Sequence, residues 1–393
     1  MKVSATAQRN NRRCKERRLG IVLLAAAIIM GGCASVAAEA PKTSSFVLSE
    51  DVRQELNRME TPMFEGQLLQ LSEELNFDDI LTIKKGEMLF NKQQGFYAAH
   101  IKDGDNRQPI QLLDKPAIAV SENGRKALYG TATEAYILDI DSGKSKKVQT
   151  KSDSYKGQES IDGYTSMYFA DKEGRYVVIL REVGVLAVAD TATDAVYTIM
   201  LKDYLQSESY GYRHDFKVYQ NELYMFASVP DRDYDNLIKI NLEQLRFETV
   251  LSGDDLFIGK YELLSDGKLL FDGQFREEDG IFLYDPVSET FRSVLSEPDA
   301  DPGRFTYAFS LSPDEGHILI HNVVNENVEL AEFKEGKLLN KRFVMKGYSL
   351  HALIWLLTSW NEDGNDLYIK LAYEDGGTSS GIVSNIVEYT INE

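Results

Sequence analysis

Seven copies of one short pattern predict an all-β chain folded as a seven-bladed β-propeller. The first observation is a polar turn followed by an apolar strand. It recurs as I-K-K-G-E-M-L-F (83–90), S-E-N-G-R-K-A-L-Y (121–129), D-K-E-G-R-Y-V-V-I (171–179), Y-Q-N-E-L-Y-M-F (219–226), L-S-D-G-K-L-L-F (264–271), S-P-D-E-G-H-I-L-I (312–320) and N-E-D-G-N-D-L-Y-I (361–369). The second is a strand, an acidic turn and another strand, at 136–148, 186–199, 237–250 and, most clearly, I-F-L-Y-D-P-V-S-E-T-F-R-S-V at 281–294. The third is the spacing. Two hairpins make a four-stranded unit, and the units recur roughly every 38 to 50 residues, the period of propeller blades.

The N-terminal elements precede this repeat. Arg9, Arg12, Arg13, Lys15, Arg17 and Arg18 form a basic start, and residues 21–30 run apolar. A charged region, a short apolar core and small residues read as an export signal over 1–32. The apolar run is about half of what a stable membrane span needs. Residues 33–45 are small and polar and read as a flexible tether. Residues 46–65 are expected to hold a short helical segment, and the propeller to occupy 66–393.

Within the repeats, Gly86, Gly124, Gly174, Gly267, Gly316 and Gly364 are expected at the left-handed position of each tight turn, with Asn221 or its neighbour in the fourth copy. The last copy supplies three strands before the chain ends. The unassigned strand G-Q-L-L-Q-L-S (66–72) is expected to complete it, tying the two ends together and removing an exposed edge. The alternative is a six-bladed ring with residues 43–110 folded separately.

Composition bounds the function. Seven of the 43 basic and one of the 62 acidic residues lie in 1–32, so the chain after cleavage carries 36 against 61, a charge of −25. That argues against nucleic acid, which needs a basic footprint, and against adsorption to anionic headgroups. Cys33 would be the only cysteine left, so neither an internal disulfide nor a cysteine-based metal site is expected.

Two resemblances follow from these residues. Met30-Gly31-Gly32-Cys33 resembles the bacterial lipobox, with Met where Leu is commoner. This implies cleavage before Cys33 and diacylglycerol on its sulfur, and hence anchoring at the extracytoplasmic face of a cell membrane, or an outer membrane where the host has one. S-P-D-E-G-H-I-L-I and L-S-D-G-K-L-L-F followed by I-F-L-Y-D-P resemble the repeats of TolB-like and WD-type bacterial propellers over residues 66–393. This resemblance implies architecture rather than function. The separate α/β domain of TolB has no counterpart, since residues 43–65 are too few.

Candidate chemistry is sparse. Gly377-Thr378-Ser379-Ser380-Gly381 matches G-x-S-x-G, but no histidine follows it, and its composition is that of a hairpin tip. Asp231, Asp233 and Asp235 alternate as ligands of Ca²⁺ do, but the EF-hand glycine and bidentate Glu are replaced by Asn236 and Leu242, which favours a solvated acidic loop. No other cofactor is indicated. The loops entering the first strands concentrate aromatic and charged residues: Tyr155, Tyr164, Tyr210, Tyr212, Arg213, His214, Arg304, Phe305 and Tyr307. They predict a binding face, because Tyr and Arg offer large contact area with few torsions to freeze.

Two functional readings result. The first is a non-enzymatic binding or scaffold lipoprotein for a protein or glycan of the cell envelope. The alternative is a carbohydrate- or lactone-acting hydrolase with its site in the propeller channel. The second needs carboxylates converging from the first strands, where only Glu262 is acidic.

Overall fold

The computed structural model describes residues 63–64, 67–70, 80–84, 86–100, 109–131, 133–150, 167–182, 184–205, 211–212, 215–228, 236–253, 256–297, 306–325, 327–346, 353–374 and 382–391. All lie in the compact unit Glu55–Glu393. The export signal, Cys33, the tether and residues 46–62 lie outside them. Among the described residues, no helix is long and apolar enough to cross a membrane.

The unit consists of seven small antiparallel sheets. Blade 1 is β3 (Ile80–Lys84), β4 (Glu87–Lys92), β5 (Gly95–His100) and β6 (Ile110–Leu113). Blade 2 is β7 (Ala119–Val120), β8 (Lys126–Thr131), β9 (Glu134–Asp139) and β10 (Lys144–Lys147). Blade 3 is β11 (Met167–Phe169), β12 (Tyr176–Glu182), β13 (Val185–Asp190) and β14 (Ala195–Met200), followed by the one-turn helix α1 (Lys202–Leu205). In blade 4 the inner edge is split into β15 (Gly211–Tyr212) and β16 (Lys217–Tyr219), both paired to β17 (Glu222–Ser228). Next come β18 (Asn236–Asn241) and β19 (Arg246–Leu251). Blade 5 is β20 (Leu256–Leu263), β21 (Leu269–Phe275), β22 (Glu278–Asp285) and β23 (Thr290–Glu297). Blade 6 is β24 (Tyr307–Leu311), β25 (His317–Asn322), β26 (Asn327–Lys334) and β27 (Lys337–Lys346). Blade 7 is β28 (Leu353–Trp360), β29 (Asp366–Glu374) and β30 (Ile382–Thr390).

Closure follows the predicted route. β2 (Gln67–Gln70) pairs antiparallel with β30, Gln67 opposite Glu388 and Gln70 opposite Asn385, and supplies the fourth strand of blade 7. Residues 63–64, expected to be helical, instead form β1 (Met63–Phe64), a fifth strand on β27 with Met63 opposite Lys346. The ten-residue β27 presents an open row of backbone donors and acceptors, and β1 covers part of it. The N-terminal chain therefore clasps two neighbouring blades. A chain lacking residues 67–70 is expected to expose the β30 edge and to self-associate, as measured by light scattering at rising concentration.

The core is divided among the seams, and each of the seven seams has its own apolar cluster. Leu89, Phe96 and Leu138 join blades 1 and 2, and Leu128, Ile137 and Ile179 join blades 2 and 3. Val178, Val188 and Met225 join blades 3 and 4. Phe226, Tyr261 and Phe271 join blades 4 and 5, and Leu270, Ile281 and Ile320 join blades 5 and 6. Leu330, Trp360 and Ile369 join blades 6 and 7. Phe90, Met88 and Tyr368 close blade 1 on blade 7. Seven seams rule out the six-bladed alternative, because blade 1 is an integral member of the ring. A middle strand packs on both faces, so alternation gives way to continuous burial: all six residues of β13 are buried.

The turn chemistry explains the repeats. In the hairpins joining first to second strands, Ser121, Asp171, Ser312 and Asn361 occupy one position. Each side chain accepts the backbone N–H five residues on: Lys126 (3.0 Å), Tyr176 (2.6 Å), His317 (2.8 Å) and Asp366 (2.9 Å). Gly86, Gly124, Gly174, Gly267 and Gly364 have positive φ, as do Gln220 and Asn221 in the fourth copy. Gly316 does not. Glu315 takes the left-handed position there, at φ 59°, because S-P-D-E-G places the turn one residue earlier. In the outer hairpins, Asp139, Asp190, Asn241 and Asp285 hold the turn by accepting backbone N–H groups two or three residues on.

Candidate functional site at the channel mouth

The first strands line the central channel, and the turns that follow them gather at one rim. The Asn123 N–H donates to the Lys172 carbonyl across blades 2 and 3 (3.1 Å). Glu315 accepts the Ser265 N–H (2.6 Å) and hydroxyl (2.9 Å) across blades 5 and 6. Lys172 donates to the Pro313 carbonyl (3.4 Å), linking blades 3 and 6.

A cavity of about 510 Å³ opens at this rim, between blades 2 to 6. Its walls carry Tyr168, Phe169, Phe216 and Tyr219 beside Lys217 and Glu262. The rings of Tyr168 and Phe216 lie 5.6 Å apart, and the Tyr219 hydroxyl donates to the Ser265 carbonyl (2.9 Å), which fixes its ring. A second chamber of about 250 Å³ shares Val120, Glu122 and Glu262 with the first. It is lined by residues earlier along the first strands, including Thr82, Lys260, Ser310 and Thr358, and so lies further down the channel.

Glu262 is the charged centre of both. Lys217 Nζ lies 2.7 Å from its Oε2, and Lys260 Nζ lies 3.2 Å from its Oε1. Burial by itself would raise the carboxyl's pKa. The two ammonium groups outweigh it and hold the group at about 2. Burial likewise opposes the charge on Lys217, but Glu262, with Asp215 and Glu122, raises its pKa above the ordinary lysine value. A bulge in β20 presents this pair. Residues 259–260 stand between the paired Ile258 and Tyr261, and the Lys260 N–H donates to buried Asp272 (2.7 Å). Lys260 also lies over the Phe309 ring, 5.3 Å from its centroid.

Asp171, on the cavity wall, has its pKa raised by burial, against the pull of its backbone hydrogen bonds. A raised and a lowered carboxylate in one cavity is the pattern of an acid–base pair. Here the geometry does not support that role. Both Asp171 oxygens accept backbone N–H groups, from Tyr176 and Arg175, as the turn position requires. Glu262 is ionised and shared by two lysines. One carboxylate between two ammonium groups is also a poor donor set for a divalent cation. Among the described residues, no group of three or more His, Cys, Asp or Glu is placed to hold a metal.

The binding face expected from the loops lies mostly outside the described residues: Tyr155, Tyr164, Tyr210, Arg213, His214, Arg304 and Phe305 do, as do Asp231, Asp233, Asp235 and the 377–381 string. Tyr212 is a strand residue paired with Ala227. Tyr307 is corrected. It is buried in the seam between blades 5 and 6, its hydroxyl donates to Glu297 (2.6 Å), and it is a core residue rather than an exposed contact. Glu262 is legible in the sequence as the acidic residue of the first strands. Lys84, Lys217 and Lys260 are not singled out there. Their signal is the alternation F-K-V-Y and K-Y-E, which sets Lys217, Lys260 and Glu262 on the face opposite Phe216 and Tyr261.

Among solved structures, this chain is similar to an oligogalacturonate lyase in complex with manganese, at 12% identity and a TM-score of 0.53, over 85% of this chain and 98% of that one. It is also similar to an oligogalacturonate lyase from Vibrio parahaemolyticus, at 11% identity and a TM-score of 0.50, over 84% and 98%. Identity this low carries the seven-bladed fold and no chemistry. No family profile matches the chain, and no curated protein matches it in sequence.

Proposed function

We propose that this protein is a lipid-anchored, extracytoplasmic binding module that captures a glycan at the channel mouth, without cleaving it. The observation that carries the reading is the 510 Å³ cavity, in which four aromatic side chains flank a charge cluster already paired within the wall. Rings supply apolar faces for a sugar, and fixed polar groups meet its hydroxyls at little cost in ordering. The anchor rests on the Met30–Cys33 string alone.

Two measurements test this reading. The full chain, titrated by calorimetry or ligand-observed NMR against a panel of envelope oligosaccharides, is expected to bind at least one of them. Phe169→Ala is expected to weaken that binding about tenfold, the effect of losing one aromatic contact. Binding to none of the panel overturns the glycan assignment. Cys33→Ser is expected to move the protein from the membrane to the soluble fraction, and unchanged membrane association overturns the lipid anchor.

The alternative, a carbohydrate- or lactone-acting enzyme, has in its favour that two proteins of the same fold are oligogalacturonate lyases. Against it, the described residues of this cavity offer no acid–base pair, because Asp171 is engaged on both oxygens and Glu262 is ionised. New reducing ends or unsaturated products from the same oligosaccharides would favour it over capture.

A further inference from the structure

Charge in the channel is layered. Glu122 and Glu173 stand exposed at the rim, and Glu315 is engaged with Ser265. Lys84 and Lys260 line the inner chamber together with the carboxylates Glu122 and Glu262, and Lys217 reaches Glu262 from the outer cavity.

Lys84 is the least satisfied of the three. Its side chain runs from the first turn of blade 1 across Gly124 of blade 2, where an added Cβ would overlap it. It is 8% exposed, and its ammonium donates to the Trp360 carbonyl of blade 7. An ammonium has three N–H donors, and this is its one acceptor among the described residues. Burial lowers its pKa, against the pull of Glu122 and Glu362 and together with the push of Lys172.

Hydroxyls converge on the same chamber. Thr82 Oγ1 and Ser359 Oγ share one hydrogen bond (2.9 Å), which leaves one of their two protons unspent. Ser310 Oγ accepts the Trp360 indole N–H (2.9 Å), and its own proton is free for another acceptor. The inner chamber therefore holds unspent donors from blades 1, 6 and 7, with Lys260 of blade 5 beside them.

Resting on the glycan reading, we propose that the 250 Å³ inner chamber binds a compact oxyanion carried by the ligand, a carboxylate or a sulfate, on Lys84, Lys260 and the Ser310 and Thr82–Ser359 hydroxyls. An anion there completes the hydrogen bonding of Lys84 and accepts the unspent hydroxyl protons. Glu122 is exposed and screened by solvent, and Glu262 is already paired with Lys217 and Lys260, so buried Lys84 keeps its preference for an anion. The ligand therefore enters anion first, with its neutral rings against Tyr168 and Phe169.

The test titrates the full chain with glucose, glucuronate, glucose 6-sulfate and inorganic sulfate. The expected result is that glucuronate or glucose 6-sulfate binds at least about tenfold more tightly than glucose, the effect of one charge-assisted contact. The sugar acid and sulfate ester arms identify which oxyanion is taken. Lys84→Met is expected to abolish the preference. Because Lys84 also links blades, Lys260→Met, at a half-exposed position, is the second variant, expected to reduce the preference about tenfold with an unchanged melting curve. Equal binding of glucose and its acidic forms overturns the oxyanion site and leaves the glycan reading standing. Binding of inorganic sulfate with no gain from the attached sugar supports the chamber and overturns the glycan reading. Binding of none of the four overturns the chamber.

Discussion

Replacing Gly273 with alanine is expected to destabilise the protein by about 4 kcal/mol, with a large fall in denaturation midpoint. Gly273 lies in β21 at φ 146°, a region that residues with a Cβ rarely enter. An added Cβ would also overlap the Phe257 carbonyl oxygen, a backbone atom that no rotamer change moves aside. Gly273 pairs with Ile258 at the edge of the β20 bulge, so strain at this point reaches Lys260 and Glu262. Gly143→Ala is the control. Gly143 has φ 65° but nothing within 4 Å of an added Cβ, so it carries the conformational cost alone, about 1 kcal/mol. Equal losses in urea titrations of the two variants would show that the backbone overlap has no consequence.

Glu262→Gln is expected to cost about 2–4 kcal/mol, since it leaves two lysines facing each other in a partly enclosed wall. Glu262 is 18% and Lys217 24% exposed, so solvent repays only part of the loss. The double variant Glu262→Leu with Lys217→Met is expected to be less destabilised than Glu262→Gln, because an apolar pair leaves no buried charge unpaired. The pH dependence has a definite sign. The folded pKa of Glu262, about 2, lies below its ordinary 4.5. Its stabilisation is therefore full above about pH 4.5 and is lost as pH falls toward 2. Lys217 is raised above 10.5, so its contribution is present below that pH and is lost only as pH rises further. Thermal scans from pH 2 to 5 should show a steep fall for the native protein and a shallower one for Glu262→Gln. Parallel curves would remove this carboxylate from the acid transition.

The turn residues show why so much of the ring was legible. Ser121, Asp171, Ser312 and Asn361 act on backbone groups five residues away, so their chemistry is complete within one hairpin. Gly316 was misplaced by one residue because glutamate tolerates the left-handed position when an Asx-type turn supports it. Tyr307 was read as a surface aromatic, yet Y-A-F-S-L buries Tyr307 and Phe309 on one face, a period-2 signal of core. Met63–Phe64 became a strand because of an edge some 280 residues away, which nothing local announces.

By itself the sequence determined the four-stranded unit, its repetition and the closing role of 67–70, because hairpin chemistry and alternation act over a few residues and repeat, while the seams decided seven units over six. Only the tertiary structure decided what the channel contains. Lys84, Lys217, Lys260 and Glu262 come from blades 1, 4 and 5, the last two from the single strand β20, and nothing local marks them among the chain's other charged residues. Whether a charge is exposed, paired or short of partners depends on neighbours brought by other blades. Ring closure creates those neighbours, and no local pattern encodes them.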